Sequence, residues 1–271
     1  MKEAVCLLVY FFFSTLHVNA QQSDYGTHSQ TALVNYRTGW QLIMDFGEWT
    51  KAEEAFRKAI KEDPEFLLGW VQVGRISNDP EERSTIFAML KKKQYSLNPL
   101  DGKLLKPYLL SMEIIDLKDS NQKIPKEKVS EFYQTSLRAF SDFFNEFPDE
   151  VYVFAEYIET IHGLYGANAA LDSIHSSSKT YHELPFLISY KAILEAELGL
   201  EKRAWESFDK FRASFEKEHL PPSLYFTEAK ISNLSGDDKR SAKAITKTLE
   251  LDPKHTLAKR LKDLLDQSGA F

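Results

Sequence analysis

Six prolines recur along this 271-residue chain at near-regular steps: Pro64, Pro99, Pro148, Pro185, Pro221 and Pro253, with gaps of 35, 49, 37, 36 and 32 residues. Proline fixes its own φ and lacks a backbone donor, so it is confined to turns and helix starts. A spacing in the thirties therefore predicts a chain cut into helical hairpins of similar length, stacked as an array. No stretch keeps a two-residue alternation of apolar and polar side chains, so strands are not expected.

The residues between the prolines repeat a pattern. Ahead of Pro64, Gly47 and Trp49 are followed by Ala52, Ala55, Phe56, Ala59 and Ile60. These apolar positions fall on one face of an α-helix. The alanines admit a neighbouring backbone, and Phe56 fills the space beside them. Gly47 suits the left-handed residue that ends a helix, and Asp63-Pro64 suits the start of the next. After Pro64 the chain reads Trp70-Val71-Gln72-Val73-Gly74. Near the C-terminus Gly236, Ala242, Ile245 and Leu249 precede Pro253, and in both copies the glycine leads the proline by 17 residues. A middle copy runs through Leu198-Gly199, Ala204, Phe208, Phe211 and Pro221.

On these residues the chain resembles the tetratricopeptide repeat family, whose unit is a helix–turn–helix of about 34 residues. The match rests on Gly47, Trp49, Ala52, Phe56, Ala59 and Pro64, then Trp70, Val73 and Gly74, and again on Gly236, Ile245 and Pro253. It is less regular from Asn78 to Pro185. The first unit departs from the family pattern: Gly39 sits one place early, and Trp40 takes a position where a small residue belongs. The implied fold is all-α, a right-handed α-solenoid of about six antiparallel helical hairpins with a C-terminal closing helix at Thr256–Leu265.

Along the chain, Lys2, the apolar run at 4–16 and Val18-Asn19-Ala20 describe a secretory signal peptide over residues 1–20. That run is shorter than the ~20 residues a membrane span needs, so no stable membrane insertion is expected after cleavage. Residues 21–30 read as a flexible leader, 31–117 as N-terminal hairpins, 118–127 as a polar loop or hinge, and 128–271 as C-terminal hairpins with the closing helix. In the third hairpin, helices Leu104–Leu117 and Val129–Phe147 flank the hinge, which accounts for the 49-residue gap. Asp79-Pro80-Glu81-Glu82 is a helix start inside the second. The expected location is secreted or periplasmic. Cys6, the only cysteine, lies within the signal segment, so the mature chain is expected to hold no disulfide.

A net charge of −6 argues against nucleic-acid binding. Ala139 to Ser178 holds seven acidic residues and no Lys or Arg, whereas Lys230 to Lys262 holds nine basic against four acidic. This predicts a long molecule with a negative middle and a positive C-terminal end. Lys91-Lys92-Lys93 spreads around a helix and reads as a solvated face. Asn233-Leu234-Ser235 fits a glycosylation acceptor.

No nucleophile elbow, phosphate loop, dinucleotide glycine pattern or zinc-helix motif occurs. His162, His175, His182 and His219 do not pair on one helical turn, and Asp172, Ser173 and His175 are too close in sequence to share a face as a triad. The reading is a non-catalytic protein with no cofactor and no metal. The aromatic stripe Phe140, Phe143, Phe144 and Phe147 reads as core, as do Trp40, Trp49, Trp70 and Trp205.

The family resemblance implies a concave groove lined by the first helix of each hairpin, taking a protein or extended peptide. Aligned on Gly47, Gly74 and Gly236, the groove residues are Arg37, Gln41, Arg75, Phe226, Lys230 and Asn233. The fourth hairpin adds Tyr152, Glu159 and His162. The family's carboxylate clamp is not supported, because Arg37, Gln41 and Gln72 replace its Lys and Asn residues. Two other classes compete: a soluble glycan- or small-ligand-binding protein with exposed aromatics, and an enzyme whose site is assembled from scattered residues.

Overall fold

The computed structural model describes residues 22–268, and the signal segment at 1–20 lies outside them. Among the described residues the protein is all-helical. The helices are α1 (Gln30–Gln41), α2 (Trp49–Glu62), α3 (Leu67–Ile76), α4 (Pro80–Lys93), α5 (Pro99–Asp119), α6 (Lys126–Glu146), α7 (Val151–Ser176), α8 (Pro185–Glu197), α9 (Glu201–Arg212), α10 (Pro222–Leu234), α11 (Asp238–Leu251) and α12 (Thr256–Ser268). A π-helical turn, Leu42–Phe46, joins α1 to α2. None of these helices is long and apolar enough to cross a membrane.

The amphipathic face expected on α2 is the face that packs. Ala52, Ala55, Phe56, Ala59 and Ile60 are all buried. Consecutive helices touch throughout, and alternate ones touch where α3 meets α5 and α8 meets α10. The apolar interior forms successive clusters, the largest running from Tyr25 to Val153 at the start of α7 and the last joining α10, α11 and α12. Phe140 and Phe143 lie in that first cluster.

The two end copies share their turn chemistry. Gly47 and Gly236 both take positive φ, +66° and +78°, which glycine adopts without a steric penalty. Asp63 (φ −141°, ψ 94°) and Asp252 (φ −139°, ψ 98°) end α2 and α11 in nearly the same conformation. Each carboxylate accepts a backbone N–H two residues on, from Glu65 and from Lys254. Pro64 and Pro253 lie in these turns, ahead of the helices rather than in their first turn. Pro80, Pro99, Pro185 and Pro222 do open helices. Asp79 caps α4 through Glu81 and Glu82 N–H, as its sequence predicts.

The irregular first unit has a local explanation. A π-turn closes its bonds over five residues instead of four and so absorbs one additional residue. A turn of this kind lies at Leu42–Phe46, shortly after Gly39. Gly39 then lies flat on Phe56, whose ring comes 2.5 Å from where a Cβ would stand. Trp40 is 7% exposed and meets Phe56 edge-on.

Three expectations are corrected. The stretch read as a flexible leader packs into the fold: Tyr25 is 3% exposed, and its hydroxyl donates to Glu150 Oε2 at 2.8 Å. The hinge is shorter than read, because α5 continues to Asp119 and α6 begins at Lys126. The ends of the molecule also meet. Thr50 N and Oγ1 donate to Asp252 at 2.9 and 2.7 Å, and Lys254 pairs with Glu53 at 2.6 Å. Asp45 accepts from Tyr152 Oη at 2.7 Å and from Phe186 N at 3.2 Å, and its backbone carbonyl accepts from Ser223 Oγ. The turn after α1 is thus held against the starts of α7, α8 and α10. An open array, in which each unit touches only its neighbours, has no such contacts.

Candidate functional site

The N-terminal half of helix α7 carries a polar stripe. Glu156, Glu159, Thr160, His162 and Gly163 recur at three- and four-residue steps, which places them along one side of the helix. That side lines a recess of about 390 Å³. Arg75 of α3 and Tyr108 of α5 form one end of it, Phe132, Tyr133 and Phe140 of α6 one wall, and Tyr190 of α8 the other.

Arg75 is bonded through each of its three nitrogens. Its Nε donates to Ser111 Oγ at 3.1 Å, Nη1 to Gln72 Oε1 at 2.7 Å, and Nη2 to Glu156 Oε1 at 3.4 Å. Its guanidinium carbon lies 4.6 Å from the Tyr108 ring centroid and 5.8 Å from that of Trp40. The Tyr108 hydroxyl donates to Glu156 Oε2, so both Glu156 oxygens are occupied. Burial raises the Glu156 pKa, and the Arg75 charge opposes that shift. This set is a buried, satisfied ion pair with its guanidinium stacked on tyrosine.

Glu159 differs. It lies one turn further along α7, half-buried in the recess. Burial, then the negative charge of Glu156, pushes its pKa up to about 7, with Arg75 opposing. The ion pairs and hydrogen bonds among the described residues do not include its carboxylate. Beyond it, His162 Nδ1 lies 2.8 Å from Tyr190 Oη and Nε2 lies 3.1 Å from Glu197. A proton on Nε2 donates to Glu197 and leaves Nδ1 to accept from the Tyr190 hydroxyl, so one tautomer satisfies both contacts. Burial, followed by Glu159 and Glu197, raises the Tyr190 pKa, so its hydroxyl stays protonated.

Gly163 sets the width of the recess. A Cβ at this position would stand 2.2 Å from the Tyr133 ring. The missing side chain lets that ring lie directly on the α7 backbone and form the wall.

Of the nine expected groove residues, the structure brings Arg75, Glu159 and His162 around this recess. Lys230 of α10 lies near, within the field of Glu197, and burial lowers its pKa. Arg37 is instead tied to Glu150 and to the Ser23 carbonyl. Tyr152 is bonded to Asp45, and Phe226 packs on His255 with ring centroids 4.8 Å apart. Gln41 is exposed, and Asn233 is half-buried near the end of α10. The aromatic wall from α6 and α8 was not foreseen. Its one local signal was Gly163, which follows His162 and leaves room for a neighbouring ring.

Among the described residues no group of three His, Cys, Asp or Glu side chains is placed to hold a metal ion. Comparison of the sequence with protein families gives no match, and comparison with curated proteins gives none either. Fold and site together define a class: an all-helical protein with an aromatic, carboxylate-bearing recess on one side of α7.

Proposed function

We propose that the protein is a non-catalytic, exported scaffold of the tetratricopeptide-repeat type. In this reading it is a right-handed array of about six helical hairpins plus a closing helix, which binds a protein or peptide segment on the face formed by α3, α7, α8 and α10. The observation that carries it is the polar line from Arg75 through Glu159 and His162 to Glu197 and Lys230, contributed by four helices, α3, α7, α8 and α10. Internal bonds engage Arg37 and Tyr152, so the bound segment is short and centred on α7. Export is supported by the basic start, the apolar run and Val18-Asn19-Ala20.

The test is an affinity pull-down from the native host, followed by calorimetry on the partner recovered. Lys230→Gln should weaken binding several-fold and Lys92→Gln should not, since Lys92 is exposed on α4. Equal losses at both positions would place the binding face elsewhere. The amino terminus of the exported protein should begin at Gln21.

A further inference from the structure

We propose that the recess beside α7 is a receptor for an organic cation, an alkylammonium or guanidinium group, with Glu159 as its counter-ion and Tyr133, Phe132 and Tyr190 as its walls. The inference rests on the scaffold reading above for its ligand source, the Lys or Arg side chain of a bound segment.

The argument is one of elimination by charge and shape. An anion is disfavoured here: Arg75, the cation of the recess, already directs its three nitrogens to Ser111, Gln72 and Glu156 and its face to Tyr108, and the carboxylates of Glu156 and Glu159 line the same space. A neutral apolar group would leave Glu159 desolvated without a partner, and a desolvated carboxylate is costly. A cation supplies the missing charge, and aromatic rings present their negative faces to it. The recess volume, about 390 Å³, is of the size that takes a single side chain or small molecule rather than a folded surface.

The flanking helices line the recess around Glu159 with Arg75 from α3, Tyr108 from α5, Tyr133 from α6, Glu156 and His162 from α7 and Tyr190 from α8, and beyond His162 lie Glu197 of α8 and Lys230 of α10. Arg75 and Glu156 offset each other, and Glu197 lies beside Lys230 of α10, so Glu159 is the carboxylate of the recess with no cation paired to it. A bound cation favours the ionised carboxylate. Since burial places the Glu159 pKa up to about 7, binding expels a proton and strengthens as pH rises through that value.

The experiment uses calorimetry on the full chain with three probes: the blocked tripeptide Gly-Lys-Gly, the same tripeptide with norleucine, and n-butylammonium chloride. The lysine peptide should bind about tenfold more tightly than its norleucine counterpart, the scale of a partly desolvated cation–π and ion pair. Glu159→Gln keeps the shape and should remove that preference. Wild-type affinity should fall between about pH 8 and about pH 6, and more steeply than that of the Gln variant. A melting temperature measured for each variant separates loss of the site from loss of the fold. Equal binding of lysine and norleucine peptides, no binding of any probe, or an unchanged Glu159→Gln variant overturns the assignment. If n-butylammonium binds as tightly as the lysine peptide, the recess is confirmed as a cation receptor and its ligand is a free cation. The peptide-scaffold reading then fails alone.

Discussion

Ala59 shows how little room single side chains have in this fold. It is 0% exposed, in the cluster that joins α1, α2 and α3. Replacing it by Arg forces a long, charged side chain into a closed contact, and we expect a loss of about 3 kcal/mol or more through overpacking and desolvation. Thermal unfolding followed by circular dichroism tests this, and an unchanged melting temperature would contradict the packing described. Gly163 makes the opposite point. Gly163→Ala puts a methyl within 2.2 Å of the Tyr133 ring. The ring must swing away, so the variant should keep its helical spectrum while losing affinity for the lysine tripeptide. A crystal structure with Tyr133 unmoved would refute that account.

At the level of helices, the informative case is α2. Its N-cap, Glu48, makes no side-chain capping bond, and the first-turn N–H of Thr50 is met instead by Asp252, far along the chain. An orphan donor at a helix start costs energy unless an acceptor reaches it. Asp252→Ala removes this acceptor and, with it, the bond to Lys254 N that shapes the last turn. The expected cost is about 1–2 kcal/mol, the usual range for a lost cap. Denaturant unfolding measures it. Thr50→Ala in the same background should add little, because both changes break one contact.

The closure of the chain on itself depends on His255. It is 2% exposed, packed between Trp49 and Phe226, and its Nδ1 accepts from Ala258 N at 3.2 Å. That geometry requires the neutral ring, and burial lowers the pKa from 6.5 to about 4. The folded state then binds fewer protons than the unfolded chain between these values. The stability contributed by His255 is complete above 6.5 and is lost as pH falls from there towards 4. The size is up to roughly 3 kcal/mol. Asp101 and Glu159 act in the opposite sense, since burial raises their pKa values to about 6 and about 7 and their protonated forms suit the fold. His255→Asn keeps an acceptor for Ala258 N without the titration. Its stability relative to the native protein should therefore improve as pH falls from 6.5 to 4, and a constant difference would show that His255 does not titrate with folding.

Local rules made the helices legible: apolar steps of three and four marked the buried face of α2, and Asp79-Pro80 marked the start of α4. The paired glycine-to-proline spacing marked two turns of the same conformation. Alignment with the repeat family put Arg75, Glu159 and His162 in one expected groove, and the packing brings these three around one recess. The rest depends on contacts between residues far apart in sequence. No local signal says that Asp45 will accept from α7 and α8, or that Glu150 will hold Tyr25 and Arg37. Such contacts turned a supposed leader into core and joined the supposed ends of a long molecule. Two cations of the basic C-terminal region are likewise engaged within the fold, Lys254 by Glu53 and Arg240 by Glu228 and the Trp205 ring. A sequence fixes which face of a helix is apolar and where its backbone must turn, because both follow from neighbours within a few residues. Which charge remains without a partner, here Glu159, follows from the packing of five helices, and only the tertiary structure decides it.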